Sequence, residues 1–154
     1  MPKDYTTYQL KSLLQLADFR NKFYDIHTSE PNIGKKREDT LALKKSIHSF
    51  IRVFCENHFA DSDYTILQKE LRSNYATEWF NRLSLDVILK LITYIIWTDK
   101  SMKGYFLKRI EDKTMLKLLI RLEHAAFSYC KAQERCKSQQ INGACLCNKE
   151  TRAQ

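Results

Sequence analysis

The sequence predicts an all-α protein: a compact single-domain bundle of about five to six helices with a flexible C-terminal tail. Three observations carry that prediction. The chain has 154 residues but only 3 Gly and 2 Pro, too few turn formers for a sandwich or a barrel. Apolar side chains recur at helical spacing through most of the chain. Cap-forming residues stand where several of those runs begin.

The first helix is announced by Thr6 with Gln9 three residues on, the pattern of a capping box. Leu10, Leu13, Leu14 and Ala17 then repeat at helical steps, Leu16, Phe19 and Phe23 widen the stripe, and the helix is expected to end near Tyr24 or Asp25. His27 to Asp39 reads as a loop, with Pro31, Gly34 and the basic run Lys35-Lys36-Arg37. Asp39 or Thr40 can cap a second helix. In it Leu43, Ile47, Phe50, Ile51 and Phe54 make one face, and Lys44, Lys45, His48, Arg52 and Glu56 make the other. Ala60-Asp61-Ser62-Asp63 should stop it, because short polar side chains compete for backbone hydrogen bonds.

Between residues 64 and 82 the pattern predicts two short helical pieces. One holds Ile66, Leu67 and Leu71 behind Asp63; the other spans about Thr77 to Leu83 and turns Trp79 and Phe80 toward the core. Ser84 then caps the most apolar helix of the chain. Asp86 sits in its first turn, where the helix dipole favours an anion, and forms an i,i+4 pair with Lys90. Asp86, Lys90 and Thr93 make a narrow polar stripe; Leu85, Ile88, Leu89, Leu91, Ile92, Ile95 and Ile96 cover the rest, the mark of a helix buried on more than one side.

Thr98 to Lys103 reads as a turn, and Gly104 starts a short helix that directs Tyr105, Phe106 and Ile110 inward. Asp112 or Thr114 opens the last core helix, with Met115, Leu118, Leu119, Leu122, Ala125, Ala126 and Tyr129 on its inner face. Lys117, Arg121, His124 and Ser128 form a second stripe. From Lys131 the pattern decays, so the domain organisation expected is a helical domain over residues 1–130 and a polar, Cys-containing, disordered tail over 131–154.

The net charge is +8, with the positive excess at residues 35–52, 83–129 and beyond 130, and a net acidic stretch at 53–82. A basic balance favours anionic partners without identifying one. Residues 1–20 are amphipathic and hold Asp4 and Asp18, unlike a secretory leader, and the longest apolar run is interrupted by Asp86, Lys90 and Thr93 and is too short to span a bilayer. Five cysteines, an odd number, fit a reduced cytoplasmic protein with no membrane partner.

The segment from Leu83 to about His124 resembles a small bacterial family known as domain of unknown function 6508. Its members look like a hydrophobic helix, a turn of the type Asp-Arg-x-x-Glu-Gly, a short helix and a Leu-rich final helix. The turn here is Asp99-Lys100-Ser101-Met102-Lys103-Gly104. Asp99 and Gly104 match and Lys100 is a conservative replacement, whereas Lys103 puts a base where the family has an acid. A role that depended on that acid is therefore closed to this chain. The resemblance implies a mostly helical fold and brings no activity with it.

Two surfaces are candidates for binding. At the turn, Asp99, Lys100 and Lys103 can form a polar edge beside Trp97 and Tyr105, or Asp99 can simply cap the turn while Gly104 adopts a conformation other residues resist. The second is a basic stripe of Lys117 and Arg121, joined by Lys108 and Arg109 and by the loop lysines and arginine Lys35, Lys36 and Arg37, which can face phosphates or be merely a solvated helix face. Cys130, Cys136, Cys145 and Cys147 are close in sequence but lack C-x-x-C spacing, so loose free thiols are a simpler reading than zinc. No nucleophile elbow, phosphate loop, dinucleotide fingerprint or H-E-x-x-H helix occurs, and no cofactor or metal is expected. The sequence therefore points to a non-catalytic bacterial protein that binds nucleic acid or an acidic protein surface through a basic face. One version is a phage or mobile-element accessory protein, such as an anti-CRISPR-like inhibitor of a host nuclease. The alternatives are a small enzyme with a pocket near Asp99 and His124, and a homodimer or larger self-assembly formed through Trp79, Trp97 or the alanine pair.

Overall fold

The capping box at the start of the chain forms as the sequence requires. The Thr6 N–H donates to Gln9 Oε1 at 3.0 Å and the Gln9 N–H donates to Thr6 Oγ1 at 3.1 Å, satisfying two amides that a helix start leaves without intrahelical partners. The computed structural model describes residues 4–24, 33–61, 63–64 and 77–141. Among these it forms helices α1 (Thr7–Tyr24), α2 (Ile33–Glu56), α3 (Thr77–Asn81), α4 (Leu85–Ser101), α5 (Tyr105–Glu111) and α6 (Thr114–Ile141), and no strand. The expected all-α bundle is what the chain builds.

The core is one continuous apolar cluster. Its densest part is a triangle of Phe23 from α1, Phe50 from α2 and Phe106 from α5, with ring centroids 5.7–5.9 Å apart, a spacing at which tilted and edge-to-face rings attract beyond simple burial. Helix α6 lies along α1 and closes against α3, α4 and α5 through Met115, Leu118, Leu119, Leu122 and Ala126, all fully enclosed. Helix α4 is buried at Leu85, Ile88 and Leu89 and without a break from Leu91 to Ile96, as its wide apolar arc predicts.

The polar stripe of α4 is absorbed into the same packing. Asp86 pairs with Lys90 at 3.4 Å. Thr93 is buried, where its hydroxyl donates to the Leu89 carbonyl at 2.7 Å and accepts from the Asp61 N–H at 3.2 Å. That second bond ties the segment after α2 to the centre of α4. At the end of α2, His58 takes a left-handed conformation (φ 58°) and the chain folds back so that Phe59 packs on Phe54, with ring centroids 5.9 Å apart, the hydrophobic contact that often accompanies such a C-terminus.

Three boundaries differ from those expected. Helix α2 begins at Ile33, so Lys35, Lys36 and Arg37 lie in its first turns and not in a loop, and neither Asp39 nor Thr40 is its cap. Lys, Arg and Glu are good helix formers, and the single Gly34 does not stop them. Helix α4 runs to Ser101, through most of the expected turn, because nothing before Gly104 opposes a helix. Helix α6 continues past Lys131 to Ile141. Decay of the apolar pattern there marks the end of burial on most faces, not the end of the helix. The expected piece at Ile66–Leu71, and residues 142–154 of the expected tail, lie outside the described residues.

Long-range polar contacts fix the helices against one another. The Tyr24 hydroxyl donates to the Ile110 carbonyl at 2.9 Å and accepts from the Leu116 N–H at 3.1 Å, joining α1 to the α5–α6 junction. Arg20 meets Glu123 at 2.6 Å between α1 and α6, and Gln133 Nε2 donates to the Tyr5 carbonyl at 2.9 Å. Burial pushes the Tyr24 pKa up to about 12, with the Leu116 N–H opposing the shift and the nearby Asp112 charge adding to it. A phenol with a folded pKa above its unfolded 10.0 adds stability that is complete below about pH 10 and is lost as the pH climbs toward 12. Tyr24→Phe should therefore cost about 1–3 kcal/mol at neutral pH by urea titration, since it leaves the Leu116 amide unpaired, while the Ile110 carbonyl keeps the Lys113 N–H at 3.1 Å. It should also remove part of the alkaline destabilisation above pH 10. A variant as stable as the parent at neutral pH would contradict this role.

Candidate functional site

The candidate site is the edge where α4 leaves the core. Ile96 is buried, Trp97 is 44% exposed and Met102 is 60% exposed. The helix continues for one more turn in solvent, with Ser101 Oγ donating to the Thr98 carbonyl at 3.1 Å and the Met102 N–H closing on the same carbonyl at 2.8 Å. Gly104 then stands at φ 91°, the left-handed region that favours glycine, with open space where a Cβ would be. The requirement for glycine is thus one of backbone conformation and not of crowding.

Asp99 organises the turn. Its Oδ1 accepts from the Gly104 N–H at 3.1 Å and from the Phe106 N–H at 2.9 Å. One carboxylate oxygen therefore holds the chain reversal and the first turn of α5, where the helix dipole also favours a negative charge. The capping role weighed for Asp99 is the one its geometry supports.

The basic residues divide into two groups. Arg109 is bound internally: its guanidinium reaches Asp112 at 3.2 Å and lies 4.8 Å from the Tyr105 ring centroid. Lys117 Nζ sits 5.4 Å from the Phe80 ring centroid, and Arg121 Nε donates to the Leu83 carbonyl at 2.9 Å. Lys117 and Arg121 of the α6 stripe therefore meet α3 and the approach to α4, and both are half-buried there. Lys103, Lys108 and Lys113 are exposed around α5. Lys100 is exposed as well, with its ammonium 3.7 Å from the Trp97 ring centroid. Lys35, Lys36 and Arg37 lie at the start of α2, and their side chains are outside the described set.

The edge therefore combines an accessible indole, a flexible thioether and several ammonium groups. A lysine over an exposed aromatic ring is worth about 0.5–1 kcal/mol, less than the ~1–3 kcal/mol of a nucleic-acid base stacked on such a ring. The Lys100 contact can thus yield to a base, leaving its ammonium for a neighbouring phosphate. The aromatic layer continues behind the edge, where Tyr105 lies edge-on to Tyr94 at 6.1 Å and Tyr94 is 6.4 Å from Tyr64. Met102 was not among the sequence candidates. Its signal was weak, a single Met in a charged turn.

Among the described residues the other expected sites are placed as follows. His124 is exposed on α6. A groove of about 660 Å³ lies between the N-terminal residues and α6, lined by Tyr5, Thr6, Thr7, Tyr129, Gln133 and Cys136 among others. Neither Asp99 nor His124 borders it. Of the four tail cysteines, Cys130 and Cys136 are free thiols on α6, and Cys145 and Cys147 lie outside the described residues. Among the described residues no cluster of His, Cys, Asp and Glu has the geometry to hold a metal, and no helix is long and apolar enough to cross a membrane. Ala126 is enclosed and Trp79 is half-buried against Phe80, so neither is an open self-association surface.

Removing the Asp99 carboxylate should loosen this edge. Asp99→Ala should lower stability by about 0.5–2 kcal/mol in thermal or urea unfolding, and Asp99→Asn should recover most of it, because an amide oxygen can still accept. An alanine variant of undiminished stability would remove the capping role. Comparison with known proteins finds no family model, no curated protein and no solved structure that matches the chain, so the functional reading rests on the geometry of this edge.

Proposed function

We propose that this chain is a non-catalytic binding protein for an acidic macromolecular surface, either nucleic acid or an acidic protein face, and that the α4–α5 edge is its contact. The observation that carries the reading is the exposure of Trp97 and Met102 beside Lys100, Lys103 and Lys108. Asp112 is paired with Arg109, and Asp99, whose Oδ1 accepts two amides, keeps its charge at the edge, where the three lysines outnumber it. That leaves Glu111 as the exposed acid of α5. A cluster of ammonium groups around an apolar centre attracts anions at long range and keeps them by contact.

The small-enzyme alternative has less support, because one Asp99 oxygen is committed to two backbone amides and neither Asp99 nor His124 lines the groove beside α6. Self-association retains two favourable observations, the first being the exposure of Trp97 itself, 44%. Ile120 and Phe127 are both partly exposed, 37% and 49%, and stand two turns apart on one face of α6. Light scattering on the binding samples separates that reading from the first.

The test is binding of heparin and of a short DNA duplex at two salt concentrations. Phosphate- or sulfate-driven binding should fall steeply with salt. The triple variant Lys100→Gln, Lys103→Gln, Lys108→Gln should bind at least ~10-fold more weakly at low salt, with a salt slope smaller by about one for each lysine removed. Absence of binding to every polyanion at low salt, or full binding by the triple variant, would overturn the assignment of this edge.

A further inference from the structure

Resting on that binding role and narrowing it, we infer that the α4–α5 edge takes single-stranded nucleic acid, with Trp97 stacking on an unpaired base and Lys100, Lys103 and Lys108 holding the phosphates on either side. The indole is the deciding feature. Lysines alone would serve a duplex, a single strand or an acidic protein equally well, since a phosphate or a carboxylate is all they read. An exposed aromatic face adds affinity for a base only when the base is unstacked, and a duplex hides its base faces. Trp97 is 44% exposed and already accepts one cationic partner, the Lys100 ammonium 3.7 Å from its ring centroid. A base that displaces the ammonium keeps it close enough to meet the flanking phosphate.

The surroundings suit a strand lying across the edge. Met102, 60% exposed, offers a polarizable apolar wall in the turn that follows Trp97. Lys103 and Lys108 follow at the turn and on the outer side of α5, and Glu111 on that same side marks where the positive surface ends. Asp99 is half-buried and turns one oxygen onto two backbone amides, and the three lysines of the edge outnumber its single charge.

The experiment uses the full chain carrying Trp79→Phe, so that Trp97 is the sole tryptophan, and follows its fluorescence on titration with short oligo(dT), oligo(rU), a DNA duplex of equal phosphate content and polyglutamate. The expected result is quenching and tighter binding by the single strands than by the duplex. Read by the anisotropy of end-labelled oligonucleotides, Trp97→Ala should weaken single-strand binding by roughly 10-fold and duplex binding by much less, with the far-UV circular dichroism of the parent retained, and Trp97→Phe should keep part of the single-strand affinity. The two single strands together separate DNA from RNA as the source of the ligand. Equal binding of single strand and duplex with no effect of Trp97→Ala would overturn this inference while leaving the acidic-surface role intact. Binding of polyglutamate without either nucleic acid would overturn it in favour of a protein partner. Binding of nothing at low salt would remove both.

Discussion

Between Leu85 and Ile96 only Asp86, Val87 and Lys90 of α4 keep partial contact with water, and every other side chain is buried. A helix with so little solvated surface cannot stand at the side of a bundle. It must be enclosed, and several parts of the fold meet on it. Helices α5 and α6 pack against it, the segment after α2 reaches it through the Asp61–Thr93 bond, and Tyr64 lies beside Tyr94. Burying each large aliphatic side chain contributes roughly 1.5–3 kcal/mol, so α4 supplies a large share of the force that opposes chain entropy. Its polar stripe makes this burial specific. The buried Thr93 hydroxyl needs both of its partners, which fixes the rotation of the helix and the place where the preceding segment crosses it.

The same constraint positions the candidate site. As long as α4 is enclosed, its residues are occupied with packing. Trp97 is the first large side chain past the enclosed stretch to reach solvent, and the helix still has a turn to complete. Asp99 and Gly104 then reverse the chain tightly enough to return Phe106 to the Phe23–Phe50 pair. What remains outside is the short arc from Trp97 to Lys103, held on a rigid base because both of its ends are anchored in the core. Lysines on a fixed frame present a more defined field than lysines on a loose loop.

Much of this was legible in the sequence where the signal is local. The Thr6–Gln9 box, the Ser84 cap (whose Oγ accepts from Val87 N–H at 3.4 Å), the Asp86–Lys90 pair and the inner face of α6 all follow from residues within two turns of each other. What could not be read joins distant parts of the chain. Nothing in the neighbourhood of Tyr24 tells that its hydroxyl will serve Ile110 and Leu116, or that Arg20 will find Glu123. The α6 stripe shows the same limit from the other side. Spacing put Lys117 and Arg121 on one face, correctly, but only the packing of α3 and Leu83 against that face shows the intramolecular partner that each has. Helix ends were misplaced wherever polar residues with good helix propensity extend a helix beyond its buried part, as at Lys35–Arg37 and beyond Lys131.

Native-state hydrogen exchange tests the central claim most directly. If the wrapping of α4 holds the molecule together, the amides from Ile88 to Ile95, and those from Leu118 to Leu122 facing them, exchange only through global unfolding. Their exchange free energies should then equal the unfolding free energy from denaturant titration. Exchange of those amides through low-energy local opening, with α1 and α2 remaining the best protected, would show that the bundle is organised around something else.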